Sequence, residues 1–217
     1  MVTRRRVLIG LGAGLATATR AWPATSRVLT AADVHVAGYP TVEAVRWIGE
    51  RLAAATDGKL QVRVYHSGQL GREYDTVEMA RFGAIDLTRV NFAALNNAFP
   101  LTRVPVLPYV FDSVEHMRRA MDGPAGRAIL DGFAARDVVG LCIYDSGVRC
   151  IYNVRRPVHV PADLHGLKVR VPPSDIFIGI GRALGANPTP LSFGEVYSAL
   201  QTHLIDGIIL HPAAAGE

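Results

Sequence analysis

The sequence of 217 residues carries 23 Lys and Arg residues against 19 Asp and Glu residues, a net charge of +4 at pH 7. Residues 1–24 contain four of the arginines and no acidic residue, so the chain without them would be neutral. The basic balance is therefore no evidence for binding to nucleic acid or to an anionic membrane.

The N-terminal segment, residues 1–24, has the pattern of an export signal. Thr3-Arg-Arg-Arg-Val-Leu8 is typical of a twin-arginine motif, and an apolar run rich in Gly and Ala extends from Val7 to Ala18. Ala21 and Ala24 are alternative ends of the signal. The run is shorter than the about 20 residues of a permanent membrane helix. We therefore expect a periplasmic product, exported by the twin-arginine route and not inserted in the membrane.

The same segment has a second interpretation, a dinucleotide-binding loop. Val7-Leu-Ile-Gly-Leu-Gly-Ala-Gly14 is a strand-like run with spaced glycines. However, Leu15 stands where the third glycine of that fingerprint belongs, and Trp22-Pro23 would break the phosphate-binding helix. The export signal is the better interpretation.

After the signal, predicted strands alternate with predicted helices. Hydrophobic periodicity and turn residues predict strands at 35–37, 60–65, 85–87, 138–144 and 167–171, and helices at 41–56, 72–82, 113–121, 124–134, 174–184 and 192–202. This order predicts an α/β fold with mainly parallel sheets.

The two cysteines, Cys142 and Cys150, lie eight residues apart. An oxidising compartment would permit a disulfide between them. Because Cys142 falls in a predicted core strand, we interpret both as small apolar residues that fill the core.

The most informative segment is Asp163-Leu-His-Gly-Leu-Lys-Val-Arg-Val-Pro172. Gly166 permits a turn, and the alternating apolar residues after it predict a buried strand with Arg170 at its end. A guanidinium held there offers a planar pair of donors that matches a carboxylate. Without further context, such an arginine is more often a partner in a surface salt bridge.

The context is supplied by a second segment, Leu184–Gln201, and by a series of shorter ones in a fixed order. These are Asp57–Leu60, Ser67–Gly71, Arg81–Asp86, Pro105–Phe111, Asp145–Arg149, Arg156-Pro157 and Pro161–Asp163. Together they resemble the extracytoplasmic solute-binding proteins of TRAP transporters, the DctP-like family. The resemblance implies a two-lobed, periplasmic binding protein-like clamp, with lobes at residues 25–145 and 146–217.

The chain departs from the family pattern near its end. Asp206-Gly207 is present, but Ile209 and Leu210 replace the Glu and Asn that follow in the family, where the Asn commonly turns towards the ligand. Family members continue beyond this point and return to the first lobe. The sequence therefore predicts a product truncated at the C-terminus, with two incomplete sheets.

The resemblance also implies the site residues. Arg170 would hold the ligand carboxylate and Arg149 would add charge, although a structural ion pair is the alternative for Arg149. Phe193 would present its ring to the ligand or else pack at a helix start. Tyr39 and Asn91 follow predicted strand ends, where ligands of open α/β sheets lie.

Enzyme motifs are absent from the sequence, which has no Gly-x-Ser-x-Gly, His-Glu-x-x-His, Walker or Cys-x-x-Cys pattern. The closest histidine pairs, His159 with His165 and His203 with His211, are interpreted as solvated side chains, so no metal or cofactor is expected. Asp163 and Glu195 are explained as a turn residue and a helix cap.

The resemblance thus implies a protein that captures an organic anion and delivers it to the membrane subunits of a sodium-driven TRAP permease. The ligand class within the organic acids stays open at this point. Three alternatives remain: a binding protein of an ABC importer, a ligand-sensing module of a signalling receptor, and a fragment without activity.

Overall fold

The computed structural model describes residues 26–211, which form two β-sheets flanked by helices. The strands are β1 Arg27–Ala32, β2 Leu60–Tyr65, β3 Leu87–Thr88, β4 Cys150–Asn153, β5 Lys168–Val171, β6 Asn187–Pro190 and β7 Gly207–Leu210. The α-helices are α1 Pro40–Ala55, α2 Glu73–Arg81, α3 Phe92–Leu95, α4 Val114–Asp122, α5 Pro124–Gly132, α6 Asp175–Ala183 and α7 Val196–Gln201. Short 3-10 turns cover Pro100–Val106, Phe133–Arg136, Pro161–Leu164 and Phe193–Glu195.

The first sheet has the order β2-β1-β3 and is parallel throughout. Parallel neighbours require crossover connections, which α1 and α2 provide. Gly49 lets α1 lie close to the sheet, since a Cβ atom there would come within 2.8 Å of the Cβ of Val62. Because β1 is parallel to both neighbours, the loop after Ala32 lies at the carboxyl edge of the sheet, as do the loops that follow β2 and β3.

The second sheet has the order β4-β7-β5-β6, in which β5 is parallel to both neighbours and β4 runs antiparallel to β7. Its core includes Val169 and Val171 from β5 and Phe177 from α6, all at most 4% exposed. Ala93 of α3 belongs to the same core cluster. A segment that follows the first sheet therefore packs on the second, which brings the carboxyl edges of the two sheets together.

The predicted helices and three of the five predicted strands coincide with or overlap observed elements, but the predicted strands at 35–37 and 138–144 are wrong, and β1, β4, β6, β7 and α3 were not predicted from the sequence. Residues 35–37 lie in a loop, and the first strand is instead Arg27–Ala32. This strand buries only the small side chains of Ala31 and Ala32, so its apolar pattern in the sequence is weak. Residues 138–144 pair with no strand among residues 26–211. The sequence there is a continuous apolar run, which is typical of a buried strand, but a strand needs a partner ladder.

The cysteine interpretation is also corrected for one of the two residues. Cys142 is exposed and therefore fills no core, and its thiol and that of Cys150 are both free. Burial of part of the side chain still raises the pKa of the Cys142 thiol.

The predicted signal, residues 1–24, lies outside the described residues. From Ser26 to His211, each helix is too short or too polar to span a bilayer.

Candidate ligand-binding site

Arg170 lies on β5, in the interior of the second sheet, and its side chain is buried. The residue is 4% exposed, and its Nε donates to the carbonyl oxygen of Leu191 at 2.8 Å. The two terminal nitrogens make no hydrogen bond with residues 26–211. Burial, together with the smaller effect of the nearby positive charge of Arg149, lowers the pKa of the guanidinium to about 10.

Arg149 lies directly before β4 and approaches the first sheet from the second. Its Nη2 donates to Asn91 Oδ1 at 3.1 Å, and its guanidinium carbon lies 4.8 Å from the centre of the Phe177 ring. Asn91 is held in place because the same oxygen accepts the backbone N–H of Ala93 at 2.9 Å, capping α3. Burial lowers the pKa of Arg149 to about 10 as well.

The two guanidiniums share an unusual property. Within residues 26–211, every ion pair involves other residues, so neither Arg149 nor Arg170 has a carboxylate partner. Taking a charged group out of water costs several kcal/mol when no opposite charge compensates it. The arrangement is therefore suited to bind an anion.

Three aromatic rings border the arginines. His35, in the loop after β1, stacks on Tyr39 with ring centres 4.3 Å apart and an angle of 11°. Phe193 lies on the other side of His35, with ring centres 4.7 Å apart. Tyr39 is buried and precedes α1, so its ring belongs to the first sheet's edge, while Phe193 belongs to the second's. The stack therefore joins the two edges.

A buried ion pair between Asp33 and Arg89 contacts His35 of this aromatic group. Arg89 donates to both carboxylate oxygens of Asp33, at 2.8 and 3.1 Å, and to Thr41 Oγ1 at 2.8 Å, and it also contacts His35. Burial alone would raise the pKa of the Asp33 carboxyl, but hydrogen bonds from His35 and the charge of Arg89 outweigh it and lower the pKa. Arg89 is thus neutralised by the protein, unlike Arg149 and Arg170.

Glu73, the first residue of α2, supplies the acidic group beside the arginines. Its side chain is 14% exposed, and Oε1 accepts the backbone N–H of Asn91 at 2.9 Å. Its negative charge raises the pKa values of both Arg149 and Arg170 against the effect of burial. It nevertheless lies beyond ion-pair distance of either guanidinium and contacts Arg89 at 3.9 Å.

His211 corrects the prediction that the paired histidines are solvated. His159, His165 and His203 are exposed, but His211 is 8% exposed. Its Nδ1 lies 3.3 Å from the carbonyl oxygen of Val148, next to Arg149. Burial, together with the positive charge of Arg149, lowers the pKa of the imidazole to about 4.

No group of three or more metal-ligating side chains occurs in the part of the chain from Ser26 to His211. Two open concavities, of about 510 and 500 Å³, lie elsewhere, one along Ile151–Val158 and the other between α1 and β2. They lack the buried charges that mark the arginine site.

Comparison with known proteins identifies the family. The model of bacterial extracellular solute-binding proteins of family 7, DctP, matches residues 31–214. The chain belongs to this family. DctP-family proteins are solute-binding proteins and not enzymes. A solute-binding protein of Chromohalobacter salexigens is 36% identical over 175 residues, covering 81% of this chain and 52% of the relative.

Solved structures of TRAP periplasmic solute-binding proteins have the same fold. One from Bradyrhizobium sp. BTAi1, in complex with galacturonate, is 51% identical with a TM-score of 0.81, covering 84% of this chain and 61% of that one. The sugar acid binding protein DctPAm of Advenella mimigardefordensis, in complex with galactonate, is 28% identical with a TM-score of 0.85, covering 88% and 61%. The chain thus spans about half the length of its curated relatives and about 60% of the solved ones.

All five predicted site residues lie near one another at the facing edges of the two sheets. Arg149 contacts Asn91 directly, and His35 lies against the rings of both Tyr39 and Phe193. Arg170 lies on β5, next to β7. Their role in binding stays a prediction. Sequence reasoning missed Glu73 and His211, and only the helix-start position of Glu73, where a carboxylate is favoured, could have drawn attention to it.

Proposed function

We propose that this chain acts in a TRAP-type transporter as the solute-binding component, and that it captures an organic acid through a carboxylate bound to Arg170. The observation that carries the proposal is the pair of buried guanidiniums without a carboxylate partner in the described part of the chain. A ligand carboxylate would take paired hydrogen bonds from the free terminal nitrogens of Arg170. Arg149 would attract the anion and share its charge.

The ligand class proposed is a sugar acid. Solved relatives were crystallised with galacturonate, glucuronate and galactonate, which carry one carboxylate and several hydroxyl groups. These relatives share between 28% and 51% of their residues with this chain. A monocarboxylate also agrees with the site, because the charge of Glu73 acts on both Arg149 and Arg170 but pairs with neither of them.

The rest of the transport cycle is proposed by analogy with the family. Lobes at residues 25–145 and 146–217 would close on the ligand, and the closed form would dock on the membrane permease. The ligand must then bind the closed form more tightly than the open one, since only differential affinity shifts that population. Residues 1–24 would direct export to the periplasm through the twin-arginine route.

The proposal is tested by thermal melting of the full chain with and without organic acids. A ligand at 100 times its Kd stabilises the folded state by about 2.7 kcal/mol, which for a chain of this size raises the melting temperature by roughly 5–11 °C. We expect this shift with galacturonate, glucuronate or galactonate and none with a neutral sugar such as galactose. A cooperative transition that no organic acid moves would overturn the proposal.

A further inference from the structure

One oxygen of the Glu73 carboxylate is left for a ligand. Oε1 accepts the N–H of Asn91 and faces Arg89, whereas Oε2 has no hydrogen-bond partner between Ser26 and His211. The side chain is 14% exposed, and its charge acts on both Arg149 and Arg170. An ionised carboxylate accepts hydrogen bonds and donates none. A ligand hydroxyl could donate to it, but a second ligand carboxylate would be repelled.

His211 carries a second unused acceptor. A carbonyl oxygen only accepts, so the contact of Nδ1 with Val148 requires the proton on Nδ1 and leaves Nε2 as a bare lone pair. Nε2 is buried and has no hydrogen-bond partner in the described part of the chain. A buried polar atom without a partner costs about 1–3 kcal/mol. A ligand hydroxyl that donates to Nε2 would recover that cost.

Both acceptors lie beside the arginine site. The register of β4 and β7 pairs Cys150 with Leu210, so one further step along the antiparallel ladder places His211 opposite Arg149. The charge of Arg149 acts on His211, and the charge of Glu73 acts on Arg149 and Arg170. None of these groups forms an ion pair with another, so the two guanidiniums are not neutralised by Glu73.

The charges of these groups balance for one kind of ligand. Arg149 and Arg170 contribute two positive charges and Glu73 one negative charge, so a single ligand carboxylate makes the site neutral. The remaining acidic neighbour, Glu195, is exposed and screened by solvent, and its carboxylate already accepts the N–H of Ser192 at 2.9 Å. A dicarboxylate would add a second negative charge against the Glu73 oxygen.

We propose that Glu73 and His211 form the hydroxyl-recognising part of the site, which selects a hydroxylated monocarboxylate over a dicarboxylate and over an unsubstituted fatty acid. This inference rests on the proposed function and names two of the residues that determine its specificity. Arg170 fixes the carboxylate end, and Glu73 and His211 accept hydrogen bonds from the hydroxyl groups of the rest of the molecule.

Three six-carbon acids test the inference by calorimetric titration of the full chain: galacturonate, galactarate, which has a second carboxylate, and hexanoate, which has no hydroxyl group. We expect the wild type to bind galacturonate at least about 100-fold more tightly than hexanoate, because hexanoate leaves the acceptors unpaired. We expect Glu73→Gln to weaken galacturonate binding about 10- to 100-fold, the worth of one hydrogen bond to a charged group. The same variant should bind galactarate more tightly than the wild type does.

Control variants separate specificity from damage to the fold. Glu78→Gln changes a carboxylate of the same helix that pairs with Arg81, and it should leave all three affinities unchanged. His211→Phe should weaken galacturonate binding and leave hexanoate binding unchanged, while His159→Phe, at an exposed histidine, should change neither. Melting curves without ligand report whether each variant folds.

The outcomes distinguish this inference from the proposed function. If the wild type binds none of the three acids, both are overturned. If galacturonate binds but Glu73→Gln and His211→Phe bind it as the wild type does, only the inference is overturned. Tighter binding of galactarate than of galacturonate by the wild type would also overturn the inference, while leaving the proposed carboxylate contact intact.

Discussion

Replacement of Arg170 by alanine is the most direct test of the carboxylate contact. The side chain is 4% exposed, so a ligand carboxylate bound to its terminal nitrogens would lose its partner in a site with little water. Removing one member of a buried, hydrogen-bonded charge pair costs about 2–5 kcal/mol in affinity. At 1.4 kcal/mol for each tenfold change, the Kd for galacturonate should rise roughly 30- to 4,000-fold.

The stability of the ligand-free protein should respond differently. Burial lowers the pKa of Arg170 to about 10, which means that the folded protein holds this charge against a desolvation cost. Alanine removes that cost together with the hydrogen bond to Leu191. We therefore expect a small change in the free energy of unfolding and a large change in affinity.

Titration calorimetry and urea unfolding measure the two quantities on the same samples. Arg170→Lys keeps the charge but loses the paired donors, so its affinity should lie between those of the wild type and Arg170→Ala. Arg182→Ala, at an exposed arginine of α6, is the matched control and should bind as the wild type does. Equal affinities of Arg170→Ala and the wild type, in folded protein, would refute the carboxylate assignment.

Two further predictions concern stability. Asp33→Asn leaves Arg89 buried without its counter-charge and should lower the free energy of unfolding by about 3–5 kcal/mol, whereas Asp75→Asn, in an exposed pair with Arg72, should cost about 1 kcal/mol or less in urea unfolding. His211 has a folded-state pKa of about 4 against an ordinary value of 6.5, so the unfolded chain binds the extra proton first as the pH falls. Stability should therefore decrease between pH 6.5 and 4, and His211→Phe should reduce that slope; an identical slope in the variant would contradict the assignment.

The strands β2 and β5 were predicted from the sequence, whereas β4, β6 and β7 of the second sheet were not. The segment after Gly166 encodes a turn and an alternating buried strand in consecutive residues, and β5 forms as predicted with Arg170 in it. By contrast, β1 shows no clear alternation, because its buried face consists of Ala31 and Ala32. Residues 138–144 have the apolar run of a buried strand but pair with no strand in the described range 26–211, and the sequence of a strand does not record whether a partner is present.

The site residues also divide into those that a sequence rule could predict and those that it could not. Tyr39 and Asn91 were predicted from a topological rule, which places ligands outside the carboxyl ends of strands. The predicted strand before Tyr39 is a loop, and the strand that precedes it is β1, which ends at Ala32. Glu73 and His211 obey no local rule of this kind. Their proximity to Arg149 arises from packing between segments far apart in sequence, and the burial of His211 depends on the register of β4 and β7. Local sequence patterns record neither the packing between distant segments nor the register of β4 and β7.

The contacts across the site suggest how affinity and closure are linked. Arg149 reaches Asn91 of the first sheet's edge, and Phe193 packs on His35 of the same edge, so the two sheets already meet through polar and aromatic contacts. Neither contact neutralises a guanidinium. The cost of burying Arg149 and Arg170 therefore persists until an anion binds, and bringing the edges together without one would increase it. In the proposed function, a ligand carboxylate would remove that penalty only where both arginines surround it, which would give the closed arrangement the higher affinity that a ligand-driven population shift requires.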